Sequence, residues 1–211
     1  MKRAVAFLLI LCMFVSFSSA LASEITEEHF PGYYVELRSK TKDLKNMAKA
    51  ADWKLVMAAN QTTHTIFYAV AYPSKGSASR DGFSYEGKKA SFYILTNSQY
   101  INTLIRASIT GNRFAIEYSQ RDEFESALNE SLEWLEEHFG TSPVGSGQYL
   151  LKLNNDLVEV SVYQLKNARR SVCFDMMLVE DADQALTTYG YQALDDVPVA
   201  PWTPMGIPAE E

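Results

Sequence analysis

The chain has 211 residues, with 19 Lys and Arg against 26 Asp and Glu, and two cysteines. That length suits one domain with a sizeable core. The acidic balance excludes the concentrated basic face that phosphate backbones require, so nucleic acid is not an expected partner, and two cysteines cannot form the framework of a disulfide-stapled scaffold.

The first residues, MKRAVAFLLILCMFVSFSSALA, read as an export signal. Lys2 and Arg3 supply the charged start, an apolar run extends from Ala4 to about Phe17, and Ala20-Leu21-Ala22 is a small-residue cleavage site. Cleavage is expected between Ala22 and Ser23. The apolar run is shorter than the ~18–20 residues of a spanning helix, so no stable membrane anchor is expected. Lipid attachment at Cys12 would want a small residue before it, and Leu11 is not small. The mature chain would carry 17 basic and 26 acidic side chains, a net of −9. Cys173 would be its lone thiol, in a compartment that favours pairing. Charge is also uneven: residues 23–118 carry a net of +3 and residues 119–211 a net of −12. Two solvated helices of opposite sign account for that, and attraction between the halves is the alternative.

In chain order, residues 36–52 predict a helix, with Leu37, Thr41, Leu44, Ala48 and Ala51 on one face and five basic residues on much of the rest. Residues 53–60 and 63–72 predict two strands apolar on both faces, joined at Asn60–Thr62. Residues 73–82 form a Ser- and Gly-rich loop, and 83–96 a hairpin turning near Glu86–Lys89. Residues 98–110 fit a helix or a strand. Their β-branched content favours a strand paired with 113–119 through a Gly111-Asn112 turn.

A second helix follows, with Ser119 and Asp122 as a capping box, Phe124, Leu128, Leu132, Leu135 and Phe139 as its apolar stripe, and Gly140 at its end. Residues 149–155, 156–165 and 170–179 predict three antiparallel strands, and the acidic stretch after Val179 a short helix. The pattern of helix, strand, Asn-containing turn and strand recurs, as a loosely duplicated helix-hairpin unit would. The expected organisation is a signal peptide at 1–22, one α+β domain at 23–184, and an acidic, then Pro-rich, flexible tail at 185–211. The fold class is α+β, a mainly antiparallel sheet of about seven or eight strands with two principal helices.

Chemistry-bearing motifs are sparse. His29, His64 and His138 have no metal-ligand spacing to another His or Cys, and Glu133, Glu136 and Glu137 read as a solvated helix face. PSKGSASRDG lacks the spacing of a phosphate loop. Asn60-Gln61-Thr62 and Asn129-Glu130-Ser131 match the glycosylation sequon, a frequent chance match. No catalytic, cofactor or metal residue is therefore assigned. Cys173 shares a strand face with Ser171, Asp175 and Met177, beside Glu159 of the neighbouring strand. Those carboxylates would raise its pKa, which argues against a nucleophile. An odd thiol in an exported chain also invites a disulfide-linked homodimer. The expected function is non-enzymatic binding of a protein, peptide or cell-envelope component, in the periplasm or outside the cell. The alternatives are an exported hydrolase using acidic residues or Cys173, and an assembly or secretion accessory subunit.

Overall fold

The computed structural model describes residues 33–40, Asp43, Leu44, Asn46 and Lys49, and residues 53–60, 66–73, 83–85, 88–101, 104–165 and 170–204. The expected signal sequence and its Ala22-Ser23 junction lie outside the described residues.

Among the described residues the architecture is α+β, a mainly antiparallel sheet with two helices whose full ranges are described. Its packed body is five strands in the order β5–β6–β9–β8–β7: β5 is Lys88–Ile101, β6 Leu104–Glu117, β7 Gln148–Leu153, β8 Asp156–Gln164 and β9 Ser171–Leu178. The backbone pairing continues beyond β5 through β3 (Ile66–Pro73) to β2 (Trp53–Asn60), and β4 (Phe83–Tyr85) also pairs with β5. The hairpins of the repeat-like pattern, β2–β3 and β7–β8, thus form the two ends of the sheet.

Strand alternation sorts the side chains. In β8, Val158, Val160 and Val162 are buried, while Glu159 is exposed and Ser161 and Tyr163 are half-buried. Direct pairing carries this division across the sheet, because residues opposite one another share a face. Val162 lies opposite Phe174, Phe174 opposite Phe114, and Phe114 opposite Phe92. This apolar first face is the main core, and α1 (Arg121–Phe139) packs over it at β8 and β9.

α1 is rotated from the expected stripe. It buries Phe124, Ala127, Ser131, Trp134 and Leu135, leaving Leu128, Leu132 and Phe139 half-buried. Small side chains at 127 and 131 let the helix approach the sheet, and the Ser131 hydroxyl hides its polarity by donating to the Ala127 carbonyl at 2.7 Å. The expected capping box is also absent. Gln120 is the N-cap and makes no side-chain bond, while Asp122 and Glu123 sit in the first turn, where the helix dipole favours them. Gly140 closes the helix as expected, its N–H donating to the Glu136 carbonyl at 2.8 Å.

Of residues 98–110, the described ones, 98–101 and 104–110, are strand, but Gly111-Asn112 is not the turn. β5 and β6 are 14-residue partners with Ile101 opposite Leu104, and Gly111 lies within β6 beside a bulge, between Leu95 and Thr96 of β5. A Cβ at position 111 would run into the Met176 carbonyl oxygen and Met177 Sδ of β9. The glycine is there for close strand approach, a role its dipeptide context does not announce. The expected start of the first helix also fails. Residues 37–38 form a turn with Arg38 at φ 62°, and residues 38–40 pair with β6 around Ile109. Leu44, Asn46 and Lys49 are helical.

The expected flexible tail is overturned over residues 185–204. Its first part belongs to α2 (Ala182–Tyr189). Asp181 caps this helix by accepting from the Gln184 N–H at 3.0 Å, and Gly190 ends it at φ 77°, a left-handed position that glycine takes without strain. α2 covers the second face of the sheet at β7–β8, where Leu150, Leu157, Tyr189 and Val197 form a second cluster. The chain then rounds the β7 edge. Val199 bridges Lys152 in parallel, Trp202 is 6% exposed, and Thr203–Pro204 (β10) pairs in parallel with Tyr33–Tyr34 (β1). Composition suggested disorder because prolines remove backbone donors; buried side chains hold this segment instead. Residues 205–211 lie outside the described residues.

Candidate functional site

Between α2 and the β5 side, the second face carries a polar array on four adjacent strands. The register sets Tyr93 opposite Arg113, Arg113 opposite Asp175, and Asp175 opposite Ser161; one row along, Ala115, Cys173 and Tyr163 line up. Asp175 is the hub. Arg113 donates to it from Nε and Nη2, both at 2.7 Å, Tyr163 Oη donates at 3.0 Å, and Cys173 Sγ donates at 3.4 Å. The Arg113 side chain is 36% exposed and that of Asp175 only 12%. A bidentate guanidinium–carboxylate pair of this kind is directional as well as charge-neutralising.

Cys173 lies on the predicted face but is fully buried. Burial first, and the Asp175 charge second, push its thiol up to about 12, against the smaller lowering effects of the Tyr163 hydrogen bond and the Arg113 charge. The thiol is therefore protonated near neutral pH and is not poised as a nucleophile. Its burial also means that a disulfide to a second copy requires the sheet to open locally. Burial, followed by the hydrogen bond and field of Cys173, likewise raises the Tyr163 phenol. Glu159 does not join this array; it accepts from Tyr189 Oη at 2.6 Å.

Of the other sequence candidates, His29 and His64 lie outside the described residues. The His138 ring stacks on Trp134 at 4.1 Å, with Nδ1 2.7 Å from the Trp134 carbonyl oxygen. Glu133, Glu136 and Glu137 are exposed, and no group of three or more His, Cys, Asp or Glu among the described residues is arranged to hold a metal. The Asn129 sequon falls inside α1, with its Ser131 fully buried. Among the described residues no helix is long and apolar enough to cross a membrane.

Sequence reasoning missed Arg113, which lies 62 residues from Asp175. Its signal was a lone cation inside the strand RFAIE, matched by a lone acid inside SVCFDMML. No protein-family model, curated protein or solved structure matches this chain.

Proposed function

We propose that the protein is an exported, non-enzymatic binding module that engages a protein, peptide or cell-envelope component through the second face of its sheet. The observation that carries this reading is the half-burial of Ser91, Tyr93, Arg113, Ser161, Tyr163 and Met177 across four paired strands, beside the area covered by α2. Tyrosine, arginine and methionine are enriched at protein interfaces because they offer large contact area with polar tips. The Arg113–Asp175 pair would hold that surface in one arrangement before binding, which lowers the entropy cost of association. The proton-bearing groups here suit recognition better than catalysis, since Cys173 and Tyr163 are both shifted to hold their protons. That state does not supply the thiolate that a Cys173 hydrolase needs.

A photo-crosslinking side chain at Ser91 or Ser161, in the full chain expressed in its own host, tests this reading. A discrete adduct at those positions is expected, with none from Glu133 on the exposed side of α1, and Tyr93→Ala should diminish it. No adduct, or the same adducts from all three positions, refutes it. Sequencing the exported form should find Ser23 at its N-terminus; Met1 on the dominant species refutes the export step.

A further inference from the structure

The C-terminal strap sits on the β7 edge as a bound peptide would. Its backbone makes two bonds to one residue: the Lys152 N–H donates to the Pro198 carbonyl, and the Ala200 N–H donates to the Lys152 carbonyl, both at 2.7 Å. Its side chains alternate. Val199 is 66% exposed and Pro201 is exposed, while Ala200 and Trp202 are buried at 7% and 6%. Trp202 enters a box of aromatic rings at the C-terminal end of α1: Trp134 stacks at 6.3 Å, Phe139 meets it edge-on at 6.5 Å, and Tyr149 of β7 backs Phe139 at 5.9 Å. Main-chain bonds to a sheet edge with alternate side chains in pockets are the two components of strand-addition recognition. Pro198, Pro201 and Pro204 withhold three backbone donors, so the strap's hold depends on Trp202 more than on a ladder. Val197 anchors its start in the cluster under α2.

We propose that this edge and its aromatic box are a recognition site for an extended segment of a partner protein carrying a tryptophan flanked by prolines, and that residues 197–204 are the resident copy that keeps the site closed. The resident strap states the ligand chemistry: a β-compatible backbone, a small residue two positions before the tryptophan, and an outward-facing proline directly before it. Being covalently attached, it competes at an effective concentration on the order of millimolar, so a segment offered in trans meets a mostly filled site. The proposal does not rest on the second-face reading, since the box lies on the other side of the sheet.

The test uses the full chain and a synthetic peptide of residues 197–204, followed by calorimetry. The Trp202→Ala chain, whose strap no longer fills the box, should bind the peptide about tenfold or more tighter than the wild type, the wild-type strap being the competitor. A peptide with alanine in place of its tryptophan should not bind. No binding to Trp202→Ala, or equal binding of both peptides, overturns the proposal. Hydrogen exchange on the unmodified chain keeps the idea testable should that variant unfold. The Lys152 and Ala200 amides should exchange together, about 100-fold faster than those of Val160 and Phe174, through opening of the strap alone. Protection equal to that of the β8–β9 core would show that the strap leaves only on global unfolding, and would refute a displaceable occupant.

Discussion

Trp202→Ala is also the sharpest probe of the fold. The side chain is 6% exposed and packs against Trp134 and Phe139. A buried tryptophan removes roughly 150–250 Å² from water, which at about 25 cal/mol per Å² gives an upper range of about 4–6 kcal/mol. Measured truncations of core aromatics cost about 3–5 kcal/mol. A strap can also detach, so the loss is capped by its docking free energy, and the lower part of that range, about 3 kcal/mol, is expected. For a domain of this size, a change of 1 kcal/mol moves Tm by about 2–4 °C, so a drop of about 6–12 °C should follow. Thermal melts and urea titrations of the purified protein provide the assay. Val199→Ala, at a side chain 66% exposed, is the matched control and should cost under about 0.5 kcal/mol. If Trp202→Ala shifted Tm no more than Val199→Ala, the strap would not be part of the core, and the flexible tail suggested by composition would be restored.

Leu135→Ala, at a fully buried site on α1, should cost about 2–5 kcal/mol in urea melts, and Leu132→Ala, at a half-buried one, distinctly less; the reverse order would refute the helix rotation. Cys173 should alkylate very slowly near neutral pH without denaturant, and Cys173→Ser should leave any second-face adduct intact; a thiol titrating below pH 7 would promote it to nucleophile. The unfolded thiol ionises near its ordinary 9.0 while the buried one holds its proton to about 12, so the stability it contributes is intact below pH 9 and is lost as pH rises towards 12. Cys173→Ser should flatten that alkaline limb by up to about 1.4 kcal/mol per pH unit, with the raised Tyr163 and Tyr189 phenols keeping part of the slope. A double-mutant cycle of Arg113→Ala and Asp175→Ala should give a coupling of about 1 kcal/mol, discounted because the arginine is 36% exposed; zero coupling would remove the pair as an organiser of the face.

What could be read from the sequence was local. Val158, Val160 and Val162 announced β8 and its buried face by period two, and Gly140 announced the end of α1. Burial is the larger cause of the raised Cys173 thiol, but Asp175 beside it gave the same direction before any geometry was known. What stayed hidden was non-local or a matter of competition. The rotation of α1 depends on Trp134 finding Trp202, 68 positions further along the chain. Gly111 imitated a hairpin turn because its reason, the Met176 carbonyl, lies on a strand about sixty residues later. Arg113 looked like one more surface cation until β9 paired with β6. The Pro-rich end looked disordered because composition records missing donors but not an aromatic box waiting on another element.

The β6–β9 seam is where the two halves of the chain meet, and its two faces have different tasks there. On the first face, Phe114 lies opposite Phe174 and Ile116 opposite Val172. Those pairs favour apolar contact, but a slip of two residues would keep every side chain on its proper face, so hydrophobic pattern alone specifies this register weakly. The second face removes that freedom. A slip would separate Arg113 from Asp175 and leave a carboxylate that is now 12% exposed without its bidentate partner. Leaving a buried charge unpaired costs several times what the pair itself contributes, so the pair acts chiefly by penalising alternatives. Arg38 and Asp156, 2.5 Å apart, make a second ion pair between the basic and acidic halves, tying the N-terminal segment to the β7–β8 turn. The charge asymmetry thus serves the fold at two points, whereas the exposed glutamates of α1 remain a solvated face. The same pinning fixes the positions of Tyr163 and Tyr93, the aromatic groups flanking the pair, so the residues that secure the register also give the proposed binding face its shape.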